Sequence, residues 1–372
     1  MGPSVLRLAD FVNGYPYKPE QLGDDGTPVV RIRQMLDRSA DVQLAHPPSN
    51  AVWIDSGDLL FSWSGTLAVR IWDLGPALLN QHLFRVDPKP GVDRRWLSFV
   101  LEVGLGKLRP LMHGSAMTHI TRDMLRSLTV ALPSPNDQRA IADYLDTETA
   151  RIDALIAKKR RMVELLNERF RSYRTSELLR GLDPITGKGL LPAGWSNVSL
   201  GVCVQLQRGH DLPDQRRVAG EVPIISSGGV SGWHTEAAAH GPGVVTGRYG
   251  TIGDAYFVDG PYWPLNTTLY VRDFRSNDPR WVLHVLSTLP LDSESAKSAV
   301  TGINRNVIGR LRVARPPTAE QRAIAGRVDE AKAKVDDAGA ALNRQIDLLV
   351  EHRQALITAA VTGELSVPGV AA

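Results

Sequence analysis

Gln138-Arg139-Ala140-Ile141-Ala142 occurs twice in this chain, returning unchanged as Gln321-Arg322-Ala323-Ile324-Ala325, 183 residues further along a sequence of 372. The same displacement carries Leu145, Ile152, Leu166 and Tyr173 onto Val328, Val335, Leu349 and Leu356, and Leu342 fills the step between Val335 and Leu349. These positions advance by seven or multiples of seven. An apolar period of seven on a helix makes a seam that pairs with another helix and winds left-handed around it. A long repeat present only twice signals duplicated halves and not a solenoid.

The helices that carry the seam have legible ends. Ser134, with Pro135 next and Asp137 three residues on, is a helix start: the hydroxyl can accept a free amide of the first turn and the carboxylate suits the positive dipole end. From Gln138 to Arg180 there is neither Pro nor Gly, so about 43 residues can run as roughly 65 Å of helix. A helix that long needs a partner along its side. The second helix opens at Pro317-Thr318, where Gln321 is placed to close a capping box on Thr318, and Gly363 ends it after Thr362. The Lys158-Lys159-Arg160-Arg161 run lies mid-helix and reads as a solvated face.

Outside the helices the two halves follow one plan. In residues 1–134, Pro28-Val29-Val30-Arg31-Ile32-Arg33 and Leu59-Leu60-Phe61-Ser62-Trp63 read as strands, and Arg94 to Leu108 has its apolar residues at helical spacing. In residues 195–316, Val222-Pro223-Ile224-Ile225 and Val244 to Gly250 stand for those strands, Pro279 to Leu291 stands for the helix, and Asp259-Gly260 signals a β-hairpin. Ala299 to Asn306 matches Ala116 to Asp123 at the same 183-residue displacement. Residues 181–194 hold Gly181, Pro184, Gly187, Gly189, Pro192 and Gly194 and form a linker. The expected order is globule, helix (135–180), linker, globule, helix (317–363) and a short tail (364–372). The fold class is α+β: two similar mixed α/β domains separated by two long helices packed as an antiparallel coiled coil, with a pseudo-twofold internal repeat.

Composition bounds the function. The chain is 43% hydrophobic and 22% charged, with a net charge of +3 and one cysteine, Cys203. A lone cysteine makes neither an internal disulfide nor a multi-thiolate metal site, which points to a reducing, cytoplasmic setting. No apolar run approaches the roughly 18 residues a membrane span needs. The sequence has no His-Glu-x-x-His, no Cys-x-x-Cys and no Gly-x-Ser-x-Gly. No catalytic or metal-ligating set is therefore assigned.

The globules instead offer loops rich in Arg, aromatic and amide side chains, types that read base edges and phosphates. In the first half these carry Tyr15, Tyr17 and Lys18, then Arg33, Trp63, Lys107, Arg109 and Arg122. In the second half they carry Arg208 and His210, Arg216 and Arg217, Arg248 and Tyr249, then Asn304 and Arg305. Taken as a set duplicated in two halves, they read as a nucleic-acid-binding surface.

The whole pattern resembles the specificity subunit of type I restriction-modification enzymes. The residues that carry it are Pro317-x-x-x-Gln321-Arg322-x-Ile324-Ala325 with its counterpart at Ser134-Pro135, the pre-helix Ile-x-Arg segments at Ile120 and Ile303, and Leu191-Pro192-Ala193-Gly194-Trp195 leading to Leu200-Gly201. The resemblance implies a target recognition domain in each globule (1–134 and 195–316), each reading one half of a split double-stranded DNA sequence. It implies that the helices fix the gap between the half-sites and dock two methyltransferase subunits. It also implies a non-catalytic chain without a cofactor of its own, S-adenosylmethionine belonging to the partner, with motor-nuclease subunits as a further partner. One departure stands out. The first globule opens at Val5-Leu6-Arg7-Leu8 with no counterpart of Leu191 to Trp195, so it is expected to start late and lack an edge strand. The competing expectations are a diverged stand-alone DNA-modifying enzyme, and a decoy paralogue that kept the helices and lost DNA reading.

Overall fold

The computed structural model describes residues 2–108, 119–249, 253–291 and 302–370. The chain divides into two compact units that interleave in sequence: Met1–Lys159 with Arg344–Ala372, and Arg160–Asn343.

Unit 1 opens with α1 (Val5–Leu8) and β1 (Ala9–Asn13). There follow β2 (Thr27–Val30), α2 (Ile32–Leu36), β3 (Leu44–Ala45), β4 (Trp53–Ile54), β5 (Leu59–Ser62), β6 (Val69–Ile71), β7 (Ala77–Leu79) and β8 (Leu83–Pro88). Then come α3 (Arg94–Leu108), α4 (Arg122–Ser127) and the start of α5 (Pro135–Leu179). The strands form two sheets ordered β1-β8-β5-β6 and β3-β2-β7-β4. β5 lies between two layers. Leu59 and Phe61 pack with α3, whereas Leu60 faces Val30, Met35, Ile54 and Leu79. The period-two alternation of a strand sends successive side chains into different cores, which is why Leu59-Leu60-Phe61 reads as a continuous apolar run. Arg31-Ile32-Arg33 is not the continuation of a strand. β2 stops at Val30, and the Gln34 side chain accepts the Arg31 N–H at 3.2 Å to start α2.

Unit 2 repeats this plan. It contains β9 (Ser196–Ser199), α6 (Leu200–Cys203), β10 (Gln205–Arg208), β11 (Val222–Ser226), β12 (Gly229–His234), β13 (Ala239–His240), β14 (Gly243–Gly247), β15 (Ala255–Val258), β16 (Pro261–Pro264) and β17 (Thr268–Asp273). The helices α7 (Pro279–Leu286) and α8 (Arg305–Ile308), strand β18 (Arg312–Arg315) and α9 (Thr318–Thr362) complete it. Its sheets run β10-β17-β14-β15 and β12-β11-β16-β13, with β9 on β18. Val244 and Val245 divide between two cores as Leu59 and Leu60 do. The Asp259-Gly260 turn is not a hairpin. β15 pairs with β14, while β16 pairs with β11 and β13, so the turn passes the chain from one sheet to the other. Gly260 still has the positive φ, +83°, that such a turn needs. α7 stops at Leu286 and not Leu291, with Ser287 as its C-cap.

Where β9 pairs with β18 over four residues in unit 2, the described residues of unit 1 show a single bridge there, Ser4 to Thr129.

The long helices pair antiparallel in each unit. In unit 1, Asp153 meets Arg353 at 3.1 Å and Lys159 meets Gln345 at 2.6 Å, one helix number rising as the other falls. In unit 2, Glu177 meets Arg327 at 3.1 Å. Leu145 and Val328 are wholly buried, and Ile152 packs with Ile156 and Ile346, flanked by Leu349 and Leu356. Leu166, Val335 and Leu342 are half-buried. Tyr173 is 37% exposed and lies beside Arg327, whose guanidinium is held charged above its usual range mainly by Glu177. At that step the seam is polar. Ser134 caps α5 through the Asp137 N–H at 3.2 Å. Gln321 does not close a box on Thr318. It is buried and reaches Asn277, Asp278 and Pro316 instead. No helix among the described residues is long and apolar enough to cross a membrane.

Candidate nucleic-acid interface

The same corner recurs in both units, where the first strand of the antiparallel sheet, β1 or β10, ends. In unit 2, β10 ends at Arg208, opposite Leu269 of β17. The next residue, Gly209, donates its N–H to Thr268 O at 3.1 Å, and His210 donates to Pro264 O at 2.8 Å. In unit 1, β1 ends at Asn13 opposite Phe84, Gly14 donates to Leu83 O at 3.0 Å, and Tyr15 donates to Leu79 O at 2.8 Å. A side chain is impossible at either glycine without backbone movement. A Cβ on Gly14 would lie 2.2 Å from Asn80 O, and one on Gly209 would lie 2.1 Å from Leu265 O.

A second chain segment closes each corner. Ile303, buried, donates its N–H to Arg248 O at 2.9 Å, and Ile120, buried, donates to Trp63 O at 2.7 Å. Each isoleucine precedes a short helix, capped by Asn304 through the Asn306 N–H at 2.9 Å and by Thr121 through the Met124 N–H at 3.3 Å. Arg305 and Arg122 are thus first residues of equivalent helices.

In unit 2 these pieces line an open cleft of about 520 Å³ made by Arg208, Arg248, Tyr249, Leu269 and the segment Gly302 to Arg305. The cleft gathers five of the residues singled out from the sequence: Arg208, Arg248, Tyr249, Asn304 and Arg305. The Arg248 guanidinium sits 4.6 Å from the Tyr249 ring centre, a cation–π stack that holds it in place. Tyr249 in turn lies against Gly302, where a Cβ would come within 2.2 Å of the ring. The corresponding corner in unit 1 is built differently. The Trp63 indole N–H reaches Asn13 Oδ1 at 3.1 Å and Gln81 O at 2.9 Å, and its ring stacks near His82 and His119. Ser64 hydrogen-bonds to His82 Nδ1 at 2.8 Å.

The remaining sequence candidates lie elsewhere. Tyr17 is 6% exposed and packs with Val29, Ala45 and Leu78; burial pushes its phenol above the usual range, so it is a core residue and not a contact group. Tyr15 stacks edge-on against it at 4.9 Å. Lys18 and Arg33 are exposed on unit 1. Lys107 lines a separate cleft with Val5, Val100 and Val361. Arg109 lies outside the described residues, as do Gly250 and Ala299 to Thr301 of the matched segments. His210 sits among aromatic rings, 5.9 Å from Tyr270 and 6.2 Å from Trp263. Arg217 pairs with Asp214 at 3.0 Å, and Arg216 reaches Asp211 O at 3.4 Å. The roles of His82, His119 and Gly302 were not read from the sequence. The displacement that sets Gly302 on His119 was the signal for two of them; for His82 there was none.

One strand-end corner thus recurs on two repeated scaffolds, lined by arginines in unit 2 and by Trp63, His82 and His119 in unit 1. Residues 5–165 match the family model described as Type I restriction modification DNA specificity domain. Residues 5–165 belong to that family. The chain is 25% identical over 221 residues to the Type I restriction enzyme EcoBI specificity subunit of Escherichia coli, a match covering 55% of this chain and 46% of that protein. The chain thus spans about half the length of that relative. It is 21% identical over 366 residues to the EcoDI specificity subunit of Escherichia coli, covering 85% and 80% of the two chains. A solved structure titled for complex assembly and conformational transition of the type I R-M system superposes with a TM-score of 0.71 at 18% identity, covering 96% of this chain and 98% of that one. That likeness extends the specificity-domain fold across the second unit, beyond the matched stretch.

Proposed function

We propose that this chain is the DNA-specificity subunit of a type I restriction-modification system. Each globule (1–134 and 195–316) is a target recognition domain that reads one half of a bipartite double-stranded DNA sequence. The observation that carries the proposal is the recurrence of one strand-end corner, Gly14 with Trp63 and Ile120, and Gly209 with Arg248 and Ile303, on two repeated scaffolds. A single reading head would need only one. Each long helix has 45 residues, about 68 Å of rise, enough to set a fixed gap between half-sites.

The chain recognises and does not catalyse. Adenine methylation belongs to two methyltransferase subunits, which bind S-adenosylmethionine, and cleavage belongs to motor-nuclease subunits that join the same complex. The work is done on cytoplasmic DNA. The test is genome-wide adenine methylation in cells with and without the gene. Loss of methylation at one split motif, two short half-sites around a fixed gap, is the expected result. Unchanged methylation, together with no sequence preference by the chain purified with its neighbouring methyltransferase, overturns the proposal.

A further inference from the structure

The two corners are equivalent in backbone and different in chemistry. Arg208 occupies the strand-end position that Asn13 holds in unit 1, since each precedes the glycine that crosses onto the neighbouring strand. Arg248 occupies the position of Trp63, since each carbonyl accepts the N–H of the buried isoleucine. Arg305 and Arg122 are alike. Among the described residues, unit 2 therefore brings three guanidinium groups to its cleft where unit 1 brings one.

The unit 2 cleft is also open to an acceptor. Among the described residues no carboxylate lines it. Asp211 is 3.9 Å from Arg208 with both side chains more than half exposed, a pairing worth little in water. Arg248 spends its Nε on Ile303 O at 3.4 Å and stacks on Tyr249, and its terminal nitrogens have no partner among the described residues. A guanidinium fixed this way presents a planar fork, the geometry that takes two acceptors at once. In unit 1 the Trp63 indole N–H is already used on Asn13 and Gln81, and the groups beside it are the neutral Ser64–His82 pair.

We propose that the two half-sites are held by different chemistry: the Arg208–Arg248–Arg305 cleft grips a paired acceptor of its half-site, while the Trp63 corner, with Arg122 as its one guanidinium, reads its half through the neutral groups around Trp63. The paired acceptor is either two phosphate oxygens or O6 and N7 of a guanine. This inference rests on the proposed DNA-specificity role.

The test uses the full chain purified with its methyltransferase partner, and a duplex bearing the motif found by methylation mapping. Affinity is measured from about 50 to about 200 mM salt, for the intact duplex and for duplexes with one half-site scrambled. Arg248→Ala and Arg305→Ala are compared with Trp63→Ala, and Arg248→Lys keeps the charge without the fork. Arg305 is exposed, so its replacement leaves the core intact. The expected result is a loss of about tenfold or more for each Arg variant. With phosphate as the acceptor, the slope of log affinity on log salt falls by about one. With guanine as the acceptor, discrimination at one G of the unit 2 half-site is lost and the slope stays. Trp63→Ala weakens binding without moving the slope. Arg variants that change neither slope nor base discrimination overturn the inference, as does a Trp63→Ala variant that lowers the slope by about one. A wild-type complex that does not distinguish intact from scrambled duplex overturns the DNA-specificity reading itself.

Discussion

Gln138 Oε1 accepts the backbone N–H of Asp93 at 2.8 Å, across 45 residues of sequence. Asp93 in turn caps α3 through the N–H groups of Arg95 and Trp96 at 2.9 and 3.0 Å. The second half reproduces the arrangement: Gln321 accepts from Asp278 at 2.8 Å, and Asp278 caps α7 through Arg280 and Trp281, both at 3.0 Å. The repeated Gln-Arg-Ala-Ile-Ala is thus a joint. Its glutamine ties the start of a long helix to the start of the globule's helix, and its Ile and second Ala enter the core beside them.

Removing either glutamine side chain strands buried polar groups. Gln138 also donates to Gly91 O and Pro133 O at 3.2 and 2.9 Å, and Gln321 to Asn277 Oδ1 and Pro316 O at 2.9 and 3.0 Å. An unsatisfied buried group costs about 1–3 kcal/mol. Gln138→Ala and Gln321→Ala are each expected to lower stability by that amount in urea unfolding. They share no partner, so the double variant is expected to be near additive. A cost below about 0.5 kcal/mol for both would show that water replaces the lost bonds.

The strand-end glycines make a sharper prediction. Gly14→Ala and Gly209→Ala each drive a Cβ into a carbonyl oxygen. Overpacking against backbone costs about 1–3 kcal/mol, and it shifts the corner that carries Trp63 or Arg248. Reduced thermal stability and weakened DNA binding are expected together. Gly23→Ala is the control, because a Cβ there meets nothing within 4 Å and φ is not positive. It is expected to be neutral or slightly stabilising.

Most of the scaffold was legible in the sequence, because its signals are local. Caps, Pro-Gly punctuation and the seven-residue period fix α5 and α9, and Arg94 to Leu108 is a helix over the expected span. Partner choice was not legible. Asp259-Gly260 makes a turn whatever strands flank it, and nothing local says that β16 joins β11. The seam was read at one position per heptad, which missed Ile156, Ile346 and Phe170, all buried. Ile156 lies four residues beyond Ile152, the second seam position that antiparallel pairing requires. The cleft was legible only as scattered loops: Arg208, Arg248 and Arg305 are brought together by strand pairing across nearly one hundred residues.

The seam itself is uneven, and substitutions should report it. Leu145 and Val328 are buried in the globule cores, so Leu145→Ala is expected to cost about 2–5 kcal/mol. Ile152→Asp with Val335→Asp places a carboxylate in each apolar contact and is expected to abolish sequence-specific binding. Tyr173, being 37% exposed, is expected to tolerate Ala at a cost below about 1 kcal/mol. Chemical unfolding of each variant, with DNA binding alongside, gives the ranking. Equal costs at Leu145 and Tyr173 would contradict the uneven seam.

Cys203 gives a probe of unit 2 that needs no DNA. It is 1% exposed in the core beside Trp281 and Val313, and burial pushes its thiol from the ordinary 9.0 up to about 11, against a smaller opposing pull from Arg315 and Arg275. The thiolate is the reactive form, so the folded chain is expected to resist iodoacetamide at pH 8 and to be labelled once in urea. The folded value lies above the unfolded one. The neutral thiol therefore favours the folded state fully below about pH 9, and that contribution is lost as pH rises through about 11. Cys203→Ser or Cys203→Ala removes this titration, so the fall in stability between those pH values should be shallower in the variant. Rapid labelling of the native chain at pH 8 would mean that α6 opens on its own, and that the β10 corner it precedes is not rigidly supported.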